Sequence, residues 1–431
     1  MKVVNYPNKN EWSILLKRPA IDNSALETIV IKILDDVKEN GDYALKKYSL
    51  LFDKVQLGSF EVTKQEFSEA EKKVSKELKT AIQLAKRNIE KFHLAQKEKT
   101  KIIEITKGVK CWRKSVPIEK VGLYIPGGSA PLFSTILMLG IPAKIAGCKE
   151  IIMCTPSSPL TPLHRERGIN PVILYTAKLL GIIKIFKVGG AQAIGAMAYG
   201  TKTIPKVNKI FGPGNQYVTC AKQLVQKNGI AIDMPAGPSE VAVLADESCV
   251  PAFVASDLLS QAEHGADSQV LLVSNSSNQI DKILREVELQ LEKLPRKEIA
   301  KKALVNSKAI LVKNKNEAID LLNEYAPEHL ILACREADKL AGKITNAGSV
   351  FIGNYSPESA GDYASGTNHT LPTNGYAKSY SGVSLDSFVK KISFQKLSRQ
   401  GLKKIGKAIE LMAEAEGLQA HKNAVTLRLK N

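Results

Sequence analysis

The spacing of apolar residues changes along the chain near residue 115. Before that point, apolar positions recur at helical spacing in IDNSALETIVIKILDDVKENGDYALKKYSLLF (21–52), which predicts a helical start. Beyond it, short apolar runs alternate with helix-length segments. Strands followed by turns or helices are predicted at KVGLYIPGG, EIIMCTP, IKIFKVGG, NKIFGPG and IAIDMP. This alternation is typical of a parallel sheet flanked by helices, with ligand-binding loops at the strand ends.

A second series of apolar runs follows and predicts another α/β unit. Its strands are EVAVLAD, SQVLLVSN, KAILVKN, HLILAC and GSVFIG, separated by helices such as PAFVASDLLSQAEH and KNEAIDLLNEYA. A polar, glycine-containing stretch covers 353–384, and the segment from FQKLSRQG onward is predicted as a helical tail. The 431 residues exceed what one hydrophobic core usually holds, so two or three structural units are expected.

The composition predicts a globular protein that neither spans a membrane nor binds nucleic acid. Hydrophobic residues make up 44% and charged residues 24%, as in soluble globular proteins. No apolar run approaches the roughly 18–20 residues of a membrane helix, and the N-terminus lacks a secretory pattern, so we expect a cytoplasmic protein without membrane attachment. The net charge of +18 comes mostly from lysines that alternate with acids. Such spacing is typical of solvated helices, and we expect no nucleic-acid partner.

The six cysteines contain no C-x-x-C pair. This argues against a disulfide framework and against a cysteine-built zinc site, so reduced packing residues are expected. Cys148 and Cys154 lie near the first predicted sheet, and a nucleophilic role for one of them stays open.

Two segments contain candidate catalytic or metal-binding side chains. In YAPEHLIL, Glu328 stands next to His329 immediately before a predicted strand, and a histidine with a neighbouring carboxylate can act as general base. In DLLSQAEHGAD, Gln261 and His264 share one face of a helix that Gly265 ends. The second pair is either half of a metal site or a histidine at a helix C-terminus.

Further donors lie in ESAGDYASGTNHTLP, which contains Asp362 and His369, and in the tail, which contains Glu416 and His421. His93 and His164 are predicted to be surface residues. The turns IPGGSAP, VGGAQA and FGPGNQ follow predicted strands and either bind an anion or serve as tight sheet turns. None is a G-x-G-x-x-G motif.

Five longer motifs are specific to a family. IDMPAGPSEV (232–241), LLSQAEHG (258–265), PEHL (327–330), SAGDYASGTNH (359–369) and AHKNAV (420–425) resemble histidinol dehydrogenase. The segments GLYIPGGSAPLFS, GGAQAI and FGPGN are similar to the same family. The resemblance extends from about residue 20 to the C-terminus. Residues 155–170 are longer than is usual in the family and are expected to form a surface loop.

The resemblance implies an enzyme with one zinc ion per subunit that uses NAD to oxidise L-histidinol through L-histidinal to L-histidine. It implies that His329 acts as general base and that Glu328, with His329, activates water for the second oxidation. The implied site residues are the zinc ligands Gln261, His264, Asp362 and His421, the other substrate-binding residues Ser239, His329 and Glu416, and the NAD contacts Tyr124, Gln192 and Asn215.

The resemblance also implies a fold of class α/β, with two Rossmann-like parallel-sheet domains, an N-terminal helical arm and a C-terminal helical tail. We expect the arm at 1–22, a discontinuous metal and substrate domain at 23–126 and 237–380, and an NAD-binding domain at 127–236. The tail at 381–431 is expected to reach the partner's site in a homodimer.

Three alternative functions compete with this interpretation. A cysteine thioester mechanism would oxidise the aldehyde without a metal. A zinc hydrolase with Glu328 as base would act without NAD. A non-enzymatic basic protein would bind nucleic acid in a salt-dependent way.

Overall fold

The computed structural model describes residues 1–18, 23–127, 131–157, 168–235 and 237–430. Its strands are β1 (Lys2–Asn5), β2 (Ile103–Thr106), β3 (Val109–Pro117), β4 (Lys120–Tyr124), β5 (Glu150–Cys154), β6 (Lys184–Phe186), β7 (Lys209–Phe211), β8 (Ala231–Ile232), β9 (Glu240–Ala245), β10 (Gln269–Ser274), β11 (Lys308–Leu311), β12 (His329–Ala333), β13 (Ser349–Ile352) and β14 (Val389–Leu397).

The α-helices are α1 (Trp12–Leu15), α2 (Asn23–Asn40), α3 (Asp42–Phe52), α4 (Lys64–Lys73), α5 (Lys76–Leu94), α6 (Phe133–Ala146), α7 (Pro171–Leu179), α8 (Gly190–Tyr199), α9 (Gln216–Lys227), α10 (Pro251–Ala262), α11 (Ser277–Leu291), α12 (Lys297–Val305), α13 (Lys315–Tyr325), α14 (Ala337–Ala341), α15 (Glu358–Tyr363), α16 (Arg399–Ala415) and α17 (Gln419–Lys430). Among these described helices, none is both long and apolar enough to cross a membrane.

Two parallel sheets organise the fold. One has the strand order β6-β5-β4-β7-β8, and the other has the order β1-β11-β10-β9-β12-β13. Apart from β1, each sheet has its first strand in the middle, the next two strands on one side and the last two on the other. This is the doubly wound arrangement of Rossmann-like folds. The predicted α/β class with two Rossmann-like sheets is therefore confirmed.

Both sheets are covered on their two faces, which explains their nearly continuous apolar strands. Along β9, Val241 and Val243 face a core shared with α10–α12, whereas Ala242 and Leu244 face a core shared with α1 and α13. The five-stranded sheet packs on α4–α7 on one face and on α2, α3, α8 and α9 on the other.

The packing differs from the expected division into domains. We expected residues 23–126 beside 237–380, but β4 belongs to the five-stranded sheet and α2–α5 pack on that sheet. The expected N-terminal arm at 1–22 contains strand β1, which pairs in parallel with β11.

A third sheet was not predicted. It is antiparallel, with the order β14-β3-β2. Phe394, where we expected the helical tail to begin, lies within β14, and the helix begins at Arg399. The tail itself consists of α16 and α17, which pack against each other.

Candidate active site

A cleft of about 1120 Å³ separates the N-terminus of α9 from the amino end of the six-stranded sheet. Its walls include Asn215 on one side and Ser239 and His264 on the other. The site is thus built at the carboxyl edge of one sheet and the amino edge of the other, because β7 ends just before Asn215 whereas β9 begins just after Ser239.

His329 opens β12 and is buried. Its Nδ1 lies 3.3 Å from the backbone carbonyl of Glu240, and because a carbonyl only accepts, Nδ1 carries the hydrogen. Within the described residues, Nε2 has no hydrogen-bond partner and lies 3.6 Å from the Asp362 carboxylate. Burial lowers the pKa of His329, but Glu358, Glu328 and Asp362 raise it more, to about 10.

Glu328 precedes His329 and is also buried. Its carboxylate accepts a hydrogen bond of 2.9 Å from the backbone N–H of Glu240 and lies 3.7 Å from Nδ1 of His329. Burial raises the pKa of Glu328 to about 7, although His329 opposes the shift. A carboxyl group that titrates near neutrality is suited to general acid–base chemistry.

A cluster of metal-binding donors lies beside this pair. Ligand atoms of His264, Glu358 and Asp362 lie within 4.8 Å of one another. His264 follows the end of α10, whereas Glu358 and Asp362 are four residues apart on α15 and so share a helix face. One imidazole and two carboxylates form a donor set that zinc accepts.

The pKa values of the two carboxyl groups in this cluster shift in opposite directions. Burial raises the pKa of Glu358 well above its usual value. Burial also acts to raise the pKa of Asp362, but its interaction with His329 prevails and the pKa is lowered. Of the two carboxyl groups, Asp362 therefore ionises more readily.

The Gln261 side chain reaches the same cluster from α10. In one orientation of the Gln261 amide, its oxygen accepts a hydrogen bond of 3.0 Å from the Glu240 N–H and its nitrogen donates to the Glu358 carboxyl group. The amide oxygen keeps a second lone pair in this arrangement. Gln261, His264 and Asp362, three of the four predicted metal ligands, thus converge.

His369 forms a hydrogen bond with the backbone of Asp362. Its Nδ1 donates to the Asp362 backbone carbonyl (2.9 Å), and its Nε2 lies 3.2 Å from the Thr135 hydroxyl. The neighbouring Asn368 contacts Nε2 of His93 at 3.4 Å. The expectation that His93 is a surface residue was wrong, since it is fully buried on α5. His164 and most of the expected surface loop at 155–170 lie outside the described residues.

The predicted NAD contacts lie around the carboxyl edge of the five-stranded sheet. The Tyr124 hydroxyl accepts the Gly190 N–H at 3.0 Å, and the Asn215 side chain caps α9. Gln192 is buried, and in the described part of the chain neither of its amide atoms has a partner. A Cβ at Gly212 would lie 2.0 Å from the Tyr124 carbonyl, so only glycine fits this turn.

The two tail residues are not part of this cluster in the protomer. His421 lies exposed on α17, and Glu416 lies exposed at the end of α16. The metal-binding group found among the described residues does not include His421.

The sequence analysis missed Glu358 and Glu240. Glu358 could have been found from its i,i+4 spacing to Asp362, which puts two carboxyl groups on one helix face. Glu240 gave no such signal, because its backbone groups provide most of its contacts to the site.

Comparison with known proteins agrees with this geometry. The model of the histidinol dehydrogenase family matches residues 16–429. A histidinol dehydrogenase of Bacteroides fragilis is 60% identical over 430 residues, covering 100% of this chain and 99% of that protein. The chain belongs to the histidinol dehydrogenase family. A Campylobacter jejuni member is 51% identical, with all of both chains covered.

A solved structure supports the same assignment. The histidinol dehydrogenase of Elizabethkingia anophelis superimposes with a TM-score of 0.96 at 57% identity, covering 100% of this chain and 98% of that one. The resemblance that the motifs indicated is therefore confirmed. As a member of the histidinol dehydrogenase family, the chain is an oxidoreductase of histidine biosynthesis.

Proposed function

We propose that this enzyme oxidises L-histidinol through L-histidinal to L-histidine, using NAD and one zinc ion per subunit. The observation that carries the proposal is the His329–Glu328 pair beside the His264–Glu358–Asp362 cluster, whose His264 lines the cleft. A general base beside a metal-binding group is what an alcohol oxidation followed by water addition requires.

Gln261, His264 and Asp362 would hold the zinc ion, with Glu358 as a further donor within reach. The ion, when bound, would orient the imidazole and amine of the substrate, which are good ligands for it. Although burial lowers the pKa of His329, the carboxyl groups around it raise that pKa to about 10, so its neutral imidazole is a strong base.

His329 would take the hydroxyl proton in the first oxidation. The Glu240 carbonyl fixes the hydrogen on Nδ1, so the lone pair is on Nε2, the atom nearer Asp362. Nε2 has no partner among the described residues and is free to accept a proton.

Glu328 would act in the second oxidation, taking a proton from the water that adds to the aldehyde. With its pKa raised to about 7, its carboxylate is a stronger base than an exposed one and is still ionised above neutral pH. Its neighbour His329 would then take the remaining proton as the hydrate becomes the acid.

Tyr124, Gln192 and Asn215 would contact NAD, with one NAD molecule reduced to NADH in each of the two oxidations. The buried amide of Gln192 has no partner among the described residues, and this supports the assignment because a buried amide in a native protein usually pairs with a ligand or water. Ser239 lines the cleft and would contact the substrate.

Glu416 and His421 would complete the site of the other subunit in a homodimer. Both are exposed on a tail that packs on itself, and His421 lies outside the metal-binding group found among the described residues. We also propose a cytoplasmic location without nucleic-acid or membrane partners.

The thiol alternative finds no support in the structure. Cys148 and Cys154 are buried, and burial raises the pKa of Cys148 to about 11. A nucleophilic cysteine needs a lowered pKa and solvent access.

The test is the number of NADH molecules formed per L-histidinol, with and without a chelator. Two NADH per substrate, lost on chelation and restored by zinc, is the expected result. One NADH with free histidinal would refute the proposed role of Glu328. No NADH with zinc present would refute the proposed reaction.

A further inference from the structure

We propose that Arg18 is a positioning residue that holds Glu328 and His329 in their working geometry. The inference rests on the proposed function of these two residues. It gives the N-terminal segment a part in the reaction, although Arg18 belongs to none of the family motifs and lies more than 200 residues from the groups it would position.

Arg18 makes a bidentate ion pair with Glu240. Its Nε and Nη2 donate to the two carboxylate oxygens at 2.5 and 2.9 Å. Nη2 also donates to the Tyr325 carbonyl at 2.6 Å, and the guanidinium carbon lies 4.2 Å from the centroid of the Tyr325 ring. The two charged side chains are only 16% and 2% exposed, so the geometry of the pair is fixed by packing.

The backbone of Glu240 contacts both Glu328 and His329. Its backbone N–H donates to the Glu328 carboxylate, and its backbone carbonyl accepts from Nδ1 of His329. Arg18 also binds the carbonyl of Tyr325, three residues before Glu328. A single guanidinium therefore ties the first residue of β9 to the turn that leads into β12.

The N-terminal segment is itself anchored to the same unit. Strand β1 pairs with β11, and Trp12 and Leu16 are buried in the core under β9 and β12. Arg18 follows directly from this anchored segment. The Asn374 N–H donates at 2.8 Å to Oε1 of Glu240, the oxygen that also accepts from Nε of Arg18, so two segments hold this carboxylate.

A purely stabilising ion pair would have a different signature. Removing one partner of a buried pair destabilises the fold whether or not the pair has a second role, whereas only a positioning role also lowers the rate of the enzyme that remains folded. The positioning role therefore predicts a change in kcat with substrate affinity and zinc content preserved.

The experiment compares Arg18→Ala and Arg18→Lys with the wild type. We expect kcat for histidinol oxidation to fall about 10–100-fold in Arg18→Ala, with KM within about twofold and zinc content unchanged. Arg18→Lys keeps the positive charge but cannot make the bidentate hydrogen bonds, so it should recover only part of the rate. Added guanidinium ion at non-denaturing concentration should rescue Arg18→Ala. Arg285→Ala, an exposed arginine on α11, is the matched control.

A second readout does not depend on turnover. Amide hydrogen exchange at Glu240 and His329, measured without substrate, should be at least about tenfold faster in Arg18→Ala, since the amide of Glu240 is held against Glu328. Unchanged exchange, or an unchanged kcat in a folded variant, would overturn the inference. If Arg18→Ala does not fold, Arg18→Lys decides by the same two measurements. A wild type that fails to oxidise histidinol would instead refute the proposed function and leave the exchange result as the test.

Discussion

Replacing Glu328 by glutamine tests the division of labour between the two oxidations. Glutamine has nearly the same shape, and its amide oxygen can still accept the 2.9 Å hydrogen bond from the Glu240 N–H. The substitution removes the only property that water activation needs, a carboxylate that binds a proton. We expect the variant to fold and to bind zinc, because Glu328 is not a predicted metal ligand.

The size of the effect follows from the environment of the carboxyl group. General-base catalysis contributes roughly 10²–10⁴-fold, so the second oxidation should slow by that factor, or about 2.7–5.5 kcal/mol in the barrier. Stability should change far less, by about 1 kcal/mol, because one hydrogen bond changes from a charged to a neutral acceptor. The wild-type rate of the second oxidation should rise as pH rises through about 7, the pKa to which burial raises Glu328, since only the ionised form is a base.

The assay is a rapid-mixing measurement of NADH with histidinol, followed by a separate measurement with histidinal. The glutamine variant should give one NADH per site quickly and then a slow phase, and its slow phase should lose the rise near pH 7. Equal slowing of both oxidations would refute the argument, because it would give Glu328 a part in the first proton transfer. A normal second phase would refute the role altogether.

Three further predictions concern stability and assembly. Lys222→Met removes the ion-pair partner of the Asp233 carboxylate, and the two side chains are only 4% and 1% exposed. The change should lower the free energy of unfolding in urea by about 3–5 kcal/mol, and the double variant Lys222→Met, Asp233→Asn should recover more than half of the loss. A loss under about 1 kcal/mol in the single variant would contradict this. Burial raises the pKa of Asp53 to about 6, above its unfolded value, so the stability it gives at low pH is lost as pH rises through 6. Asp53→Asn should therefore raise stability at pH 8 by about 1–2 kcal/mol, after allowance for solvent screening, with little effect at pH 4, as thermal melts at both pH values would show. Finally, the variants His421→Ala and Glu328→Gln should each fail to complete the oxidation alone. When they are unfolded together and reassembled, about half of the dimers should contain one subunit of each kind and one intact site, so about a quarter of wild-type activity should return. No return of activity would refute the shared site.

The apolar pattern predicted the two parallel sheets because their strands are buried on both faces. The apolar pattern did not predict the antiparallel sheet. Strand β2 is exposed on both faces in the protomer, so Ile103 and Ile105 produce no recognisable buried side. His93 was misassigned because lysines surround it, yet it continues the buried stripe of Ile82 and Ile89 along α5. A count of helical periodicity would have placed it in the core.

The candidate site could be predicted only as far as its residues lie in contiguous motifs. Glu328 and His329 are neighbours in the chain, and so nearly are Gln261 and His264. A contact between residues far apart in the chain produces no recognisable pattern within a short stretch of sequence. The Arg18–Glu240 contact joins residues 222 positions apart and depends on the three-dimensional path of the chain.

That separation has a consequence for how the enzyme is made. Strand β1 is synthesised first, but its partner β11 emerges from the ribosome about 300 residues later. Contacts of such long range are entropically costly to form and slow folding. We expect the first residues to wait unpaired, available to chaperones, while the five-stranded sheet, whose strands all lie within 120–232, folds ahead of them. The docking of β1 would then follow the folding of the five-stranded sheet, and the Arg18–Glu240 contact that depends on this anchored segment would form only after β11 has left the ribosome.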